Sequence, residues 1–201
     1  IFGGRQIGSN AGRSPAIVYP DDGTYFPRNV APIHFQWNAG TGNTIFHLVF
    51  QSAVTDIHVY TRSTSWLADD ASWAKIAFGN AGGEVTFSVY GTDEANGADQ
   101  VFKCAQDVKF KFSRSSVGGA IYYWNAGNGY IERLPVGSKT VEDFYQGGGR
   151  CVGCHTISHD GTKMAFTFDG GDGPLGEMQV SNQSFLINGD GSVRSNFQSY
   201  N

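Results

Sequence analysis

Ile33-His34-Phe35-Gln36-Trp37 and, after a short link, Ile45-Phe46-His47-Leu48-Val49-Phe50 are the two runs that decide the fold class. Large apolar side chains recur at every second position: Ile33, Phe35 and Trp37 in the first run, Phe46, Leu48 and Phe50 in the second. Successive side chains of an extended strand leave on opposite faces, so each row predicts one buried face of a sheet. The link Asn38-Ala39-Gly40-Thr41-Gly42-Asn43 carries the residues that tight turns use for positive φ or for side-chain bonds to backbone.

Working outward, the same pattern predicts strands at Ala16–Tyr19, 57–60, 75–78, 84–90 and Val108–Phe112, with Pro20-Asp21-Asp22-Gly23 as a further turn. Seven such runs within about a hundred residues suggest two packed antiparallel sheets, with Phe35, Trp37, Phe46, Leu48 and Val89 inside. Composition agrees: of 201 residues 40% are hydrophobic, 14% are aromatic and 28 are glycine, a mixture that favours short strands joined by tight turns. The stretch 13–114 resembles immunoglobulin-like or fibronectin-III-like modules. The expected fold is therefore mainly β: an irregular N-terminal arm over residues 1–15, a β-sandwich over 16–114, and a second segment over 115–201.

The formal net charge of −4, with both signs interspersed, offers no basic stripe for a phosphate backbone and excludes nucleic acid as a natural partner. The apolar runs are far too short to span a bilayer, so no membrane span is expected. No charged-then-apolar leader opens the chain, which suggests a removed leader or a start inside a longer precursor. Three cysteines cannot all pair within one chain.

Beyond residue 114 two aromatic strands are expected, at 120–124 and 130–134. A short helix is expected over 140–145, where Thr140 and Asp143 have capping-box spacing. It would end at Gly147-Gly148-Gly149, directly before Cys151-Val152-Gly153-Cys154-His155. On one helical turn, thiols at i and i+3 share a face, and the next side chain is an imidazole. This run is the haem-attachment signature of c-type cytochromes, and the resemblance implies one covalent haem c. Cys151 and Cys154 would carry the thioethers, and His155 would be the proximal iron ligand with its other ring nitrogen held by a carbonyl or side chain. Met164 is the first candidate for the distal iron ligand and Met178 the alternative, while residues 122–124 or 144–145 would shield the macrocycle.

His159 falls on the proximal side, and His34, His47 and His58 alternate with apolar neighbours on the face opposite the core. The resemblance further implies an electron carrier rather than a catalyst, working with a redox partner or within a larger assembly in the periplasm or outside a bacterial cell. Two other readings stay open. One is a Cys3His zinc site from Cys104, Cys151 and Cys154 with His155 or His159. The other is a binding or structural module of a complex or filament. Cys104 is otherwise expected to be a buried free thiol.

The stretch 156–166, Thr-Ile-Ser-His-Asp-Gly-Thr-Lys-Met-Ala-Phe, resembles the opening of a blade in periplasmic Tol-type propellers, with Asp160-Gly161 as the turn and 164–168 as the strand. A hairpin is expected at Asn188-Gly189-Asp190-Gly191. Sandwich, Cys-x-x-Cys-His and propeller-like hairpins together resemble secreted bacterial proteins of that architecture. Asp169, Asp172 and Glu177 do not match a calcium-loop spacing. No phosphate-binding loop, catalytic triad or paired-carboxylate motif supports a hydrolase.

Overall fold

The computed structural model describes residues 2–95, 100–169, 175–181 and 184–185. The chain is mainly β and divides into two compact units, Ile1–Val117 and Gly118–Asn201.

In the first unit the strands are β1 (Gln6–Ile7), β2 (Ala16–Tyr19), β3 (Tyr25–Phe26), β4 (His34–Asn38), β5 (Ile45–Gln51), β6 (Asp56–Thr61) and β7 (Ser65–Leu67). Helix α1 (Asp70–Gly79) follows, then β8 (Glu84–Thr92), β9 (Gln100–Lys103) and β10 (Val108–Phe112). Strands β2, β4 and β7 form a three-stranded antiparallel sheet. The larger sheet is organised on β8. One edge of β8 pairs with β5 from Ile45↔Thr92 to Gln51↔Thr86, and its other edge is shared by β10 and β9. Strand β6 extends this sheet beyond β5, and the short β3 and β1 pair in parallel with β10 and β9.

The alternating rows meet in one core. Phe35 lies with its ring centroid 4.9 Å from those of both Phe50 and Phe87, and Trp37 lies 5.5 Å from Phe46. Phe35, Trp37, Phe46, Leu48 and Val89 are all buried, as their period-two spacing requires. Tilted and edge-on contacts of this kind add about 0.5–1.5 kcal/mol per pair beyond simple burial.

The expected strand at 75–78 is instead part of α1. Asp69 caps the helix, its carboxylate accepting from the Ser72 amide at 2.9 Å and from the Ser72 hydroxyl at 2.6 Å. Trp73, Ile76 and Ala77, at helical spacing, are buried, whereas Phe78 is exposed. Four residues were too short a window to separate period two from period 3.6. Asn80 closes the helix by donating to the Ile76 carbonyl at 2.8 Å. Before β2, a 3-10 turn at Ala11–Arg13 is capped by Asn10. Gly40, at φ 72°, packs against this turn so closely that a Cβ would strike the Arg13 carbonyl.

The second unit comprises two meanders. Strands β11 (Ala120–Asn125), β12 (Tyr130–Pro135) and β13 (Glu142–Tyr145) form a three-stranded sheet in chain order. Strands β14 (Val152–Ile157), β15 (Lys163–Phe168), β16 (Leu175–Gln179) and β17 (Ser184–Phe185) form a four-stranded one. Ile131, Phe144, Val152, Met164, Phe166, Phe168 and Met178 make the core.

The expected helix over 140–145 is thus replaced by β13. A single isolated turn of helix is costly to nucleate, whereas the strand buries Phe144 and pairs Glu142 with Arg133 across the sheet. The expected hairpin at Asn188 to Gly191 and the acidic residue Asp172 lie outside the described residues.

Candidate functional site

Strand β14 carries most of the Cys-x-x-Cys-His run, so the helical turn expected there is not formed. Backbone bonds hold the strand's entry from both sides: the Val152 amide donates to the Gly129 carbonyl at 2.7 Å, and the Asp169 amide to the Cys151 carbonyl at 2.8 Å. Arg150, just before the run, donates to the Asp169 carboxylate at 2.9 Å and lies 4.3 Å from the centroid of the Phe168 ring.

Within the run the register changes. Gly153 pairs with Thr167, but Thr156 pairs with Ala165, so three steps of β14 face two of β15. The extra residue is a β-bulge, and Cys154 sits in it at φ 39°. A regular strand sends residues three apart to opposite faces, and an inserted residue breaks that alternation. Both Cys151 and Cys154 are free thiols exposed to solvent.

His155 is half-buried, with Nε2 3.3 Å from the Tyr122 carbonyl oxygen. With its proton on Nε2, the imidazole donates there and keeps its lone pair on Nδ1. The Trp124 ring covers the middle of the run, lying 3.7 Å from where a Cβ on Gly153 would be. Tyr122 and Phe144, named above as shielding residues, pack edge to face at 4.9 Å.

The two candidate distal ligands occupy different surroundings from the thiols. Met164 and Met178 face each other across β15 and β16, and both are fully buried in the core. In the sequence Met164 alternates with Phe166 and Phe168, the spacing of one buried strand face.

His159 is exposed on the turn between β14 and β15, where Asp160 accepts from the Ser158 hydroxyl at 2.6 Å and from the Thr162 amide and hydroxyl at 3.0 and 2.8 Å. These bonds, that from Ser158 foremost, hold the Asp160 carboxyl down to about 2. The Asp160-Gly161 turn and the strand after it therefore form where the blade-like motif implied them.

Cys104 is buried in the first unit, where its sulfur accepts from the Val89 amide and donates to the Asp107 carboxylate, each at 3.4 Å. Burial pushes this thiol up to about 11. Among the described residues no three His, Cys, Asp or Glu side chains are gathered closely enough to hold a metal ion. No described helix is long and apolar enough to cross a membrane.

Sequence reasoning missed the partners of the run: Gly129, the Arg150–Asp169 pair and the Tyr122 carbonyl. Only the glycine and the charge pair had any sequence signal, and neither pointed to a particular neighbour. Comparison with known protein families, with characterised proteins and with solved structures finds no match to this chain.

Proposed function

We propose that Cys151, Cys154 and His155 carry one covalent haem c, and that the protein serves periplasmic or extracellular electron transfer as part of a larger redox assembly. The observation behind this reading is that the Cys-x-x-Cys-His run presents two free, exposed thiols beside an imidazole with one ring nitrogen at a backbone carbonyl. That donor set fits the group: two thioether-forming sulfurs, and an oriented imidazole of the kind that second-shell carbonyls hold for a metal. When bound, the haem supplies one-electron chemistry at its iron.

The chain's own residues do the rest. Cys151 and Cys154 fix the macrocycle's edge, His155 supplies a ring nitrogen, and Trp124 offers an indole face that excludes water. Met164 and Met178 are assigned packing. Drawing either thioether out of the core would forfeit roughly the 2–5 kcal/mol that losing a buried methionine costs.

The test is intact mass and a pyridine haemochrome spectrum of the protein matured in a bacterium with the c-type attachment machinery. The expected result is a gain of one haem, weakened or lost in Cys151→Ala and in Cys154→Ala. A chain of unmodified mass, with both thiols open to alkylation, would overturn the proposal.

A further inference from the structure

We propose that His47 and His58 form a two-imidazole binding site for a late first-row divalent cation, with Cu2+ its tightest occupant. The site lies in the first unit, on the outer face of the larger sheet, and does not depend on the haem reading. His47 on β5 and His58 on β6 are diagonal neighbours, because His47 pairs with Tyr60 and His58 with Val49. Their ring nitrogens, His47 Nε2 and His58 Nδ1, stand 2.8 Å apart.

Behind this pair, His58 Nε2 lies 3.1 Å from the Asp56 carboxylate. A carboxylate accepting that N–H leaves the lone pair of His58 on Nδ1, the nitrogen that faces His47. This carboxylate–imidazole arrangement is the support that metal-binding histidines use. A neutral His47 imidazole carries one N–H, on either ring nitrogen. Moving its proton from Nε2 to Nδ1 frees a second lone pair at the same point.

The spacing selects the metal. With bonds of about 2.0 Å to each nitrogen, a 2.8 Å separation gives a nitrogen–metal–nitrogen angle of about 90°, whereas a tetrahedral ion needs about 3.3 Å. A right angle suits the tetragonal geometry of Cu2+ and Ni2+, and Cu2+ leads the affinity order for imidazole.

The remaining coordination positions open onto a cavity of about 250 Å3, lined among others by Phe2, Arg5, Gln51 and Tyr90. His47 is held between rings, with centroids 4.6 Å from Tyr60, 5.6 Å from Tyr90 and 5.2 Å from Phe2. Arg5 opposes a cation in this cavity and Asp56 favours one. Lys103, near Tyr90, is already paired with Asp107 at 2.7 Å. With two protein ligands, the ion exchanges with solution and keeps sites for water.

The experiment uses the full chain with Cys151 and Cys154 capped by iodoacetamide, titrated with Cu2+ alone and read by electron paramagnetic resonance. One Cu2+ per chain with nitrogen hyperfine structure is expected. His47→Gln and His58→Gln should each weaken binding at least tenfold, Asp56→Asn about tenfold with unchanged stoichiometry, and His34→Gln not at all. Because His47 is half-buried, a second measurement uses the unsubstituted chain: Cu2+ should slow acylation of His47 and His58 by diethylpyrocarbonate, located by mass spectrometry. Wild-type binding by a folded variant lacking both imidazoles, or equal acylation with and without Cu2+, would overturn the proposal.

Discussion

The two units solve the same packing problem with different materials. The Ile1–Val117 unit packs aromatic on aromatic between its strands and encloses its one cysteine. The Gly118–Asn201 unit packs two methionines among its aromatic rings and leaves both of its cysteines in solvent. Left-handed backbone outside glycine is distributed just as unevenly. Cys154 at φ 39° and Asp169 at φ 55° are the non-glycine residues with positive φ among those described, and both belong to the Cys-x-x-Cys-His neighbourhood. Both units contain bulged strand pairs, but among the described residues only the second places non-glycine residues at positive φ, and one of these is the exposed Cys154. Strain of this kind costs roughly 1–3 kcal/mol per residue and persists where the surroundings over-determine it.

The largest effect that can test this contrast is in the first core. Phe35→Ala should lower unfolding free energy by about 4 kcal/mol, measured in urea, because its ring touches five other aromatic side chains and leaves a cavity. A loss under about 1 kcal/mol would mean the two sheets do not depend on this contact.

In the second core, Met164→Ala should cost about 3 kcal/mol and Met164→Leu less than about 1.5 kcal/mol, since leucine nearly conserves the volume. In haem-loaded protein Met164→Leu should leave the near-infrared spectrum unchanged. A lost sulfur-to-iron band there would return Met164 to the role of distal ligand.

A smaller effect separates stability from function at one residue. Cys154→Gly should stabilise the fold by about 1 kcal/mol by relieving the left-handed backbone, while weakening haem attachment. Destabilisation would show that the thiol itself supports the bulge.

The finest distinction is in pH dependence. His47 is held below its ordinary value of 6.5, to about 4, so in metal-free buffer the unfolded chain takes up this proton first. The first unit should therefore have its full stability above pH 6.5 and lose this contribution as pH falls towards 4, a loss absent in His47→Gln. Asp160 is depressed from 3.8 to about 2, so its contribution to the second unit is complete above pH 3.8 and declines only as pH falls towards 2. Denaturant titrations across pH 2–8 read both windows, and overlapping losses would contradict the assignment.

Much of the first unit was legible in the chain. Phe35 and Trp37, like Phe46, Leu48 and Phe50, repeat every second residue, and that period holds whatever lies opposite. The candidate site was legible only as chemistry. Cys151, Cys154 and His155 stand out by type and spacing, but whether they ride a helix or a strand depends on β15, whose pairing makes the bulge.

Sequence by itself therefore determined which side chains alternate into a core and which residues could form thioethers and bind iron, because periodicity and functional groups are local properties. Tertiary structure alone decided the helix at 70–79, the strand at 142–145, the extended Cys-x-x-Cys-His run, the enclosure of Met164 and Met178, and the meeting of His47 with His58. Each of these depends on a partner remote in sequence, whose burial or hydrogen bonds outweigh a local preference of at most a few kcal/mol.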